Sequence, residues 1–418
     1  MTDHDFSETN GRGLKRHSMF DTRTAAVAAA QTRRTRTSTS RAMALTPALV
    51  ATGKTVRVVA KTLTFALLST ASSALTSGGA AQPSTTSPAT RLTLQGTPGV
   101  VVSGLHVPWS VVIAGNEALV SQRDTAEILA FRPGEPPRLV GKVPDVTARL
   151  DGGLLGLAVL DEGGDTWVYA HHSTASANRI VRMPYTAGAL GEVEVVLEGI
   201  PGGRGHNGGR IAFGPDGMLY AATGEAQDPD LSQDPESLGG KILRMTPDGD
   251  VPDDNPIAGS LVYSLGHRNP QGLTWDDYGQ LWATDFGDDA WDELNRVEPG
   301  GNYGWPIVEG RGGKPDYVDP VVQWGTQEMG PSGLVYVDGT FFLAGLTGER
   351  LWSVTFDIAG YPVTVAHYIG KYGRIRHVLA GVDGDLWFVT NNTDGRGDTP
   401  SENDDRILSV PLAPTDAP

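Results

Sequence analysis

The chain has 418 residues, with 33 Lys and Arg against 49 Asp and Glu for a formal net charge of −16, and no cysteine, which excludes disulfides, thiolate metal sites and cysteine nucleophiles. Its 54 glycines and 28 prolines favour many short strands joined by tight turns. Residues 1–90 hold eleven Lys and Arg and four Asp and Glu, leaving twenty-two and forty-five for the rest, and so acidic a body is not a nucleic-acid binder.

Residues 1–55 are rich in Arg, Thr and Ala and lack a sustained apolar period, so they are read as disordered or as a mis-assigned extension, Met43 being a more ordinary start. Arg57 and Lys61 then precede the apolar run Leu63-Thr-Phe-Ala-Leu-Leu68, and small residues follow to Ala80-Ala81-Gln82. This succession predicts a signal peptide and linker over 56–90, hence a product exported to the medium or to the periplasmic or cell-wall space, with a low-complexity tail as the alternative. The run is too short for a stable membrane span.

From residue 91 onward a unit repeats. A short strand, a Gly, Asp or Asn turn and a second apolar strand recur from Val111, Leu157, Ile211, Leu273, Leu334 and Val378. Their turns are placed at Gly115-Asn116, Gly163-Gly164, Asp216-Gly217, Tyr278-Gly279, Asp338-Gly339 and Asp383-Gly384. A further strand follows each hairpin, as in Ile128-Leu-Ala-Phe131, Leu351-Trp-Ser-Val354 and Ile407-Leu-Ser-Val410. Six such units predict an all-β fold, a six-bladed β-propeller over 91–418, with Arg91-Leu-Thr-Leu94 as the strand that closes the ring.

In the third unit, His206-Asn-Gly-Gly209 leads into one strand and the return strand ends at Gly224-Glu225. An antiparallel hairpin with a two-residue Asp216-Gly217 turn brings His206 and Glu225 to the same end, which suits a general base and the carboxylate that orients it. Gly266-His-Arg-Asn-Pro-Gln-Gly272 holds the same place before the fourth unit, so Arg268 and Asn269 can donate to oxygens at the same channel mouth or tie down their own loop. Arg374-Ile-Arg376 puts two cations on one side of an extended segment, for an anionic partner or for surface carboxylates, and Asp151 opens the second unit. Glu293 and a backbone carbonyl near Tyr303, beside the Gly300-Gly-Asn-Tyr-Gly304 turn, form a candidate set of oxygen ligands for calcium.

On these residues the chain resembles the glucose/sorbosone dehydrogenase family, the soluble pyrroloquinoline quinone (PQQ) dependent aldose dehydrogenases. The likeness covers about residues 100–412 and is carried by Gly153-Leu-Leu-Gly156, His206 with Gly208-Gly-Arg210, Gly266 to Gly272, Asp292-Glu-Leu-Asn295, Asn302-Tyr-Gly-Trp-Pro306 and Arg374-Ile-Arg376. The resemblance implies a propeller holding PQQ and Ca2+ at the channel mouth and oxidising the C1 hydroxyl of an aldose to the lactone. His206 matches the general base and Glu225 its orienting partner. Arg268 and Asn269 match donors to the quinone oxygens, Arg374 and Arg376 the arginines on its carboxylates, and Asp151 a further cofactor contact. Backbone carbonyls at Phe286 and Gly287 match those holding a catalytic calcium, and Glu293 and Tyr303 a separate structural calcium site.

Three positions depart from the family pattern: Glu225 stands for Asp, Asp151 for Gln or Glu, and Thr347 for the lysine of a Leu-Lys-Gly pattern. Losing that lysine removes a cation expected near a tricarboxylate. The implied partners are a small-molecule aldose and an electron acceptor of unknown identity, with the protein a monomer or homodimer. Two other functions fit a propeller of this kind. One is a non-catalytic sugar-binding protein that has lost PQQ, and the other is a metal-dependent lactonase using Asp151 and Glu225.

Overall fold

The computed structural model describes residues 91–397 and 400–415, so the expectations for residues 1–90 lie outside the described residues. The apolar runs pair into antiparallel sheets arranged as a six-bladed β-propeller. The first blade runs outward through Pro108–Ala114, Glu117–Gln122, Glu127–Phe131 and Arg138–Lys142. The innermost strands of the other five are Leu154–Glu162, Ile211–Phe213, Pro270–Trp275, Pro331–Val337 and Ile375–Ala380. Each packs against the next, and the sixth returns to the first.

Two expectations need correction. Ring closure comes from Gly99–Val102, which pairs with Ile407–Val410 as the outermost strand of the last blade. Leu92–Leu94 instead pairs with Leu412–Pro414 in a separate two-stranded ribbon. The turns also divide into two kinds. Gly115-Asn116, Gly163-Gly164 and Asp338-Gly339 are two-residue turns, the last with both φ angles positive (41° and 82°). At Asp216-Gly217 the strands are paired only as far as Phe213 and Leu219, so five residues make the turn, and the Asp216 carboxylate accepts the Met218 N–H at 3.1 Å. Asp276 and Asp383 cap loops of the same length. A carboxylate that satisfies a turn N–H lets the loop be longer than the backbone twist alone prefers.

Apolar side chains fill the wedges between blades. At the closure Val111, Val120 and Phe131 of the first blade meet Trp387, Val389 and Ile407 of the last. Each fully buried side chain of this size contributes roughly 1.5–3 kcal/mol, and such wedges hold the ring together. Among the described residues no helix is long and apolar enough to cross a membrane.

The second blade buries an unusual polar group. His171 is fully buried and neither ring nitrogen has a partner, and desolvation drives its pKa down from 6.5 to about 3. The unfolded chain therefore binds a proton here that the folded chain refuses. This contribution is intact above pH 6.5 and is lost as pH falls towards about 3. Denaturant unfolding across this window should show stability rising with pH by up to about 1.4 kcal/mol per unit from this group. A His171→Leu variant should show a shallower slope; an unchanged slope would contradict the assignment.

Candidate active site

Antiparallel hairpins bring the entry to each inner strand and the exit of its partner to the same mouth of the ring. Residues from five blades' entries, Trp109, Asp151, His206, Arg268, Asn269, Arg374 and Arg376, line one cleft of about 280 Å³. Exit loops add Phe286, Gly287, Asp288, Leu346, Thr347 and Arg396.

His206 and Glu225 meet as the hairpin requires, with Nδ1 to Oε1 at 2.8 Å. A carboxylate only accepts, so Nδ1 carries the proton and the lone pair lies on Nε2, on the ring edge away from Glu225. Glu225 is 1% exposed, and its other oxygen accepts the Gln227 N–H. The longer side chain thus serves two donors at once. His206 itself has φ of 54°, and its carbonyl lies against Gly224, where an added Cβ would stand 1.9 Å from that oxygen. Only glycine fits there.

Arg268 and Asn269 are set by a residue that the sequence reading did not single out. Asp285 ends the second strand of the fourth blade, and its carboxylate accepts the N–H of Arg268 at 3.1 Å and of Asn269 at 2.7 Å. It also meets Nδ1 of His267 at 3.2 Å. Asn269 Oδ1 accepts the Gly208 N–H at 2.9 Å, so the amide that faces the cleft also fixes the loop after His206. The Arg268 guanidinium donates to the carbonyls of Phe286 at 3.2 Å and Gly287 at 2.6 Å and pairs with Asp288. Its Nε is buried without a partner. The two carbonyls matched to a calcium site therefore face a cation, the guanidinium itself.

Arg374 and Arg376 both reach the cleft. Arg374 pairs with the buried carboxylate of Asp394 at 3.0 Å, and Arg376 donates to Asn391 and to Gln271 Oε1 at 2.8 Å. Burial lowers the Arg376 guanidinium to about 9 against the opposing pull of Asp394, which leaves it charged at neutral pH. Beneath it Arg210 stacks on Trp109, 4.2 Å from the ring centroid, and pairs with no carboxylate among the described residues. Trp109 was legible by the rule that found His206, because it stands at the start of the first inner strand. Asp394 and Arg396 sit on an irregular loop and carry no such signal.

Glu293 and Tyr303 come together in a second, narrow cavity with Asp285 and Glu309. Desolvation, and then the charge of Asp285, push the Glu293 carboxyl above the usual range. Its oxygens accept the Gly310 N–H and the Asn295 amide, both at 2.9 Å. Among the described residues no three His, Asp or Glu side chains converge on one point. Asp151 and Glu225, the carboxylates a lactonase would use, are engaged with Arg396 and His206.

A family model described as glucose / sorbosone dehydrogenase matches residues 105–398. The PQQ-bound aldose sugar dehydrogenase of Streptomyces coelicolor is 49% identical with a TM-score of 0.73, covering 78% of this chain and 99% of its own. Quinoprotein glucose dehydrogenase B of Acinetobacter calcoaceticus is 31% identical over 50% of this chain. The aldose sugar dehydrogenase of Escherichia coli is 29% identical over 46% of this chain. The chain spans only 52% and 58% of the lengths of these last two.

The contact between Gly224 and the His206 carbonyl can be tested directly. Gly224→Ala should lower stability by about 1–3 kcal/mol in denaturant unfolding, because backbone must move to admit the methyl. Wild-type stability in that variant would show that the two segments are not held against each other.

Proposed function

The chain belongs to the glucose/sorbosone dehydrogenase family, and from that membership we propose that it oxidises an aldose at C1 to the lactone with PQQ and calcium. What supports this reading is the convergence of His206, Arg268, Asn269, Arg374 and Arg376 on a single cleft. The residues fit an anionic quinone. Four guanidinium groups line the cleft, with the unpartnered Nε of Arg268 among their nitrogens, and the neutral donor Asn269 stands beside them. Arg–carboxylate pairs are strong and directional, so a polycarboxylate suits this donor set.

PQQ, when bound, supplies the acceptor for the two electrons of the sugar C–H bond. Arg374 and Arg376 would hold its carboxylates, and Arg268 and Asn269 would donate to its carbonyl oxygens, where negative charge develops. His206 Nε2 would take the proton of the C1 hydroxyl, with Glu225 stabilising the imidazolium that results and keeping the ring in place. Asp151 lies beside this residue, its Oδ2 3.4 Å from the His206 backbone nitrogen. Calcium needs several oxygen ligands, and the Phe286 and Gly287 carbonyls could supply two once Arg268 turns to the quinone. Glu293 and Tyr303 are the residues to which we assign a structural calcium. We assign export from the charged, apolar and Ala-rich succession in residues 56–90.

Protein incubated with PQQ and calcium should reduce an artificial acceptor dye when given an aldose, and absence of turnover with any aldose would remove the proposal. In His206→Gln, turnover should fall by about 10²–10⁴-fold, the usual worth of a general base, while PQQ affinity stays near the wild-type value. Undiminished turnover would place the base elsewhere.

A further inference from the structure

The four cleft guanidiniums are held in different ways. Arg374 and Arg376 stand at the head of an inner strand, 8% and 4% exposed, and are tied to Asn391 and to an Asp394 carboxylate that is itself fully buried. Arg268 donates to two backbone carbonyls and pairs with Asp288. Arg396 is different. It rises from the loop after Leu386–Thr390, its side chain is 32% exposed, and its carboxylate partner is Asp151, whose side chain is 21% exposed. The pair crosses the mouth from the sixth blade to the second. The adjoining wall, Leu346 and Thr347, carries no charge.

Asp151 has a second contact besides Arg396, since its other oxygen accepts the backbone N–H of His206, N to O 3.4 Å. An ion pair this open to water contributes little by itself. Arg396 can therefore exchange Asp151 for a better acceptor at small cost, whereas Arg374 and Arg376 cannot leave the buried Asp394 without stranding its charge. We propose that Arg396 is a cofactor-anchoring residue that releases Asp151 to take a carboxylate of the bound quinone and so closes the mouth from the sixth blade. This rests on the quinone reading above. In it Asp151 is the resting partner that keeps the guanidinium at the mouth.

The test is a titration of the full chain with PQQ, followed by quinone absorbance, for wild type, Arg396→Gln, Arg396→Lys and Asp151→Asn, with a thermal melt of each apo-protein. Arg396→Gln should bind about ten-fold or more weakly, the size expected for a lost charged hydrogen bond, with an unchanged melt. Arg396→Lys should recover part of the loss, because it keeps the charge without the planar fork. Asp151→Asn, which keeps a side-chain oxygen where Asp151 would contact the cofactor, should bind as tightly as wild type or more tightly, since the competing carboxylate is gone. Wild-type affinity in Arg396→Gln would overturn the proposal and leave the quinone reading standing. Equal weakening in Arg396→Gln and Asp151→Asn would also overturn it, by showing that the pair acts as one fixed strut. If wild type binds no PQQ, the quinone reading fails and this proposal falls with it.

Discussion

The structure is shaped around one electrostatic constraint: positive charge is concentrated on the axis of a closed ring, where the low-dielectric walls of six blades magnify repulsion. Arg268, Arg374, Arg376 and Arg396 line the cleft, and Arg210 lies beneath them. Burial, with the repulsion of neighbouring cations added to it, lowers the Arg210 and Arg376 guanidiniums to about 9. The fold manages this with carboxylates at graded depth. Asp394 is buried and permanent, while Asp288 and Asp151 stand at the mouth with side chains 47% and 21% exposed. Arg210, which pairs with no carboxylate among the described residues, rests on the face of Trp109. Each cleft arginine thus has an acceptor within the protein while still lining the cleft.

The geometry of the His206–Glu225 pair follows from the antiparallel hairpin. An imidazole and a carboxylate need no long-range placement to meet when one precedes a strand and the other follows its partner. Here the glycine at 224 lets the two segments touch, and Glu225 spans the gap to Nδ1. The fourth blade repeats the device with a different emphasis. Asp285, at the exit of its second strand, takes the N–H groups of the entry residues Arg268 and Asn269, so a carboxylate behind the site aims the donors in front of it. Asn269 then reaches back to the Gly208 N–H and couples the two blades.

The features legible in the sequence were those written in local patterns. The alternating apolar runs and Gly turns disclosed six blades, and the shared position of His206 and Arg268 ahead of their hairpins disclosed one mouth. The closing strand was not legible, because Gly99–Val102 finds its partner some three hundred residues later at Ile407–Val410 and either of two short apolar runs satisfied the pattern. Turn length at Asp216 was misjudged because a side chain, Asp216 itself, supplies the N–H acceptor that a two-residue turn would supply from backbone. Asp285, Asp394 and Arg396 were missed for a common reason. Their importance lies in contacts through space, made from strand ends and an irregular loop that carry no periodic signal.

The central claim is that the cleft is built for a planar polyanion held within reach of His206. A crystal structure of the full chain grown with PQQ and calcium addresses it most directly. The account predicts the quinone in this cleft, its carboxylates on Arg374 and Arg376 and its ring system beside the Nε2 edge of His206. An ordered quinone bound elsewhere on the protein, with the arginines still paired only to their own carboxylates, would contradict it.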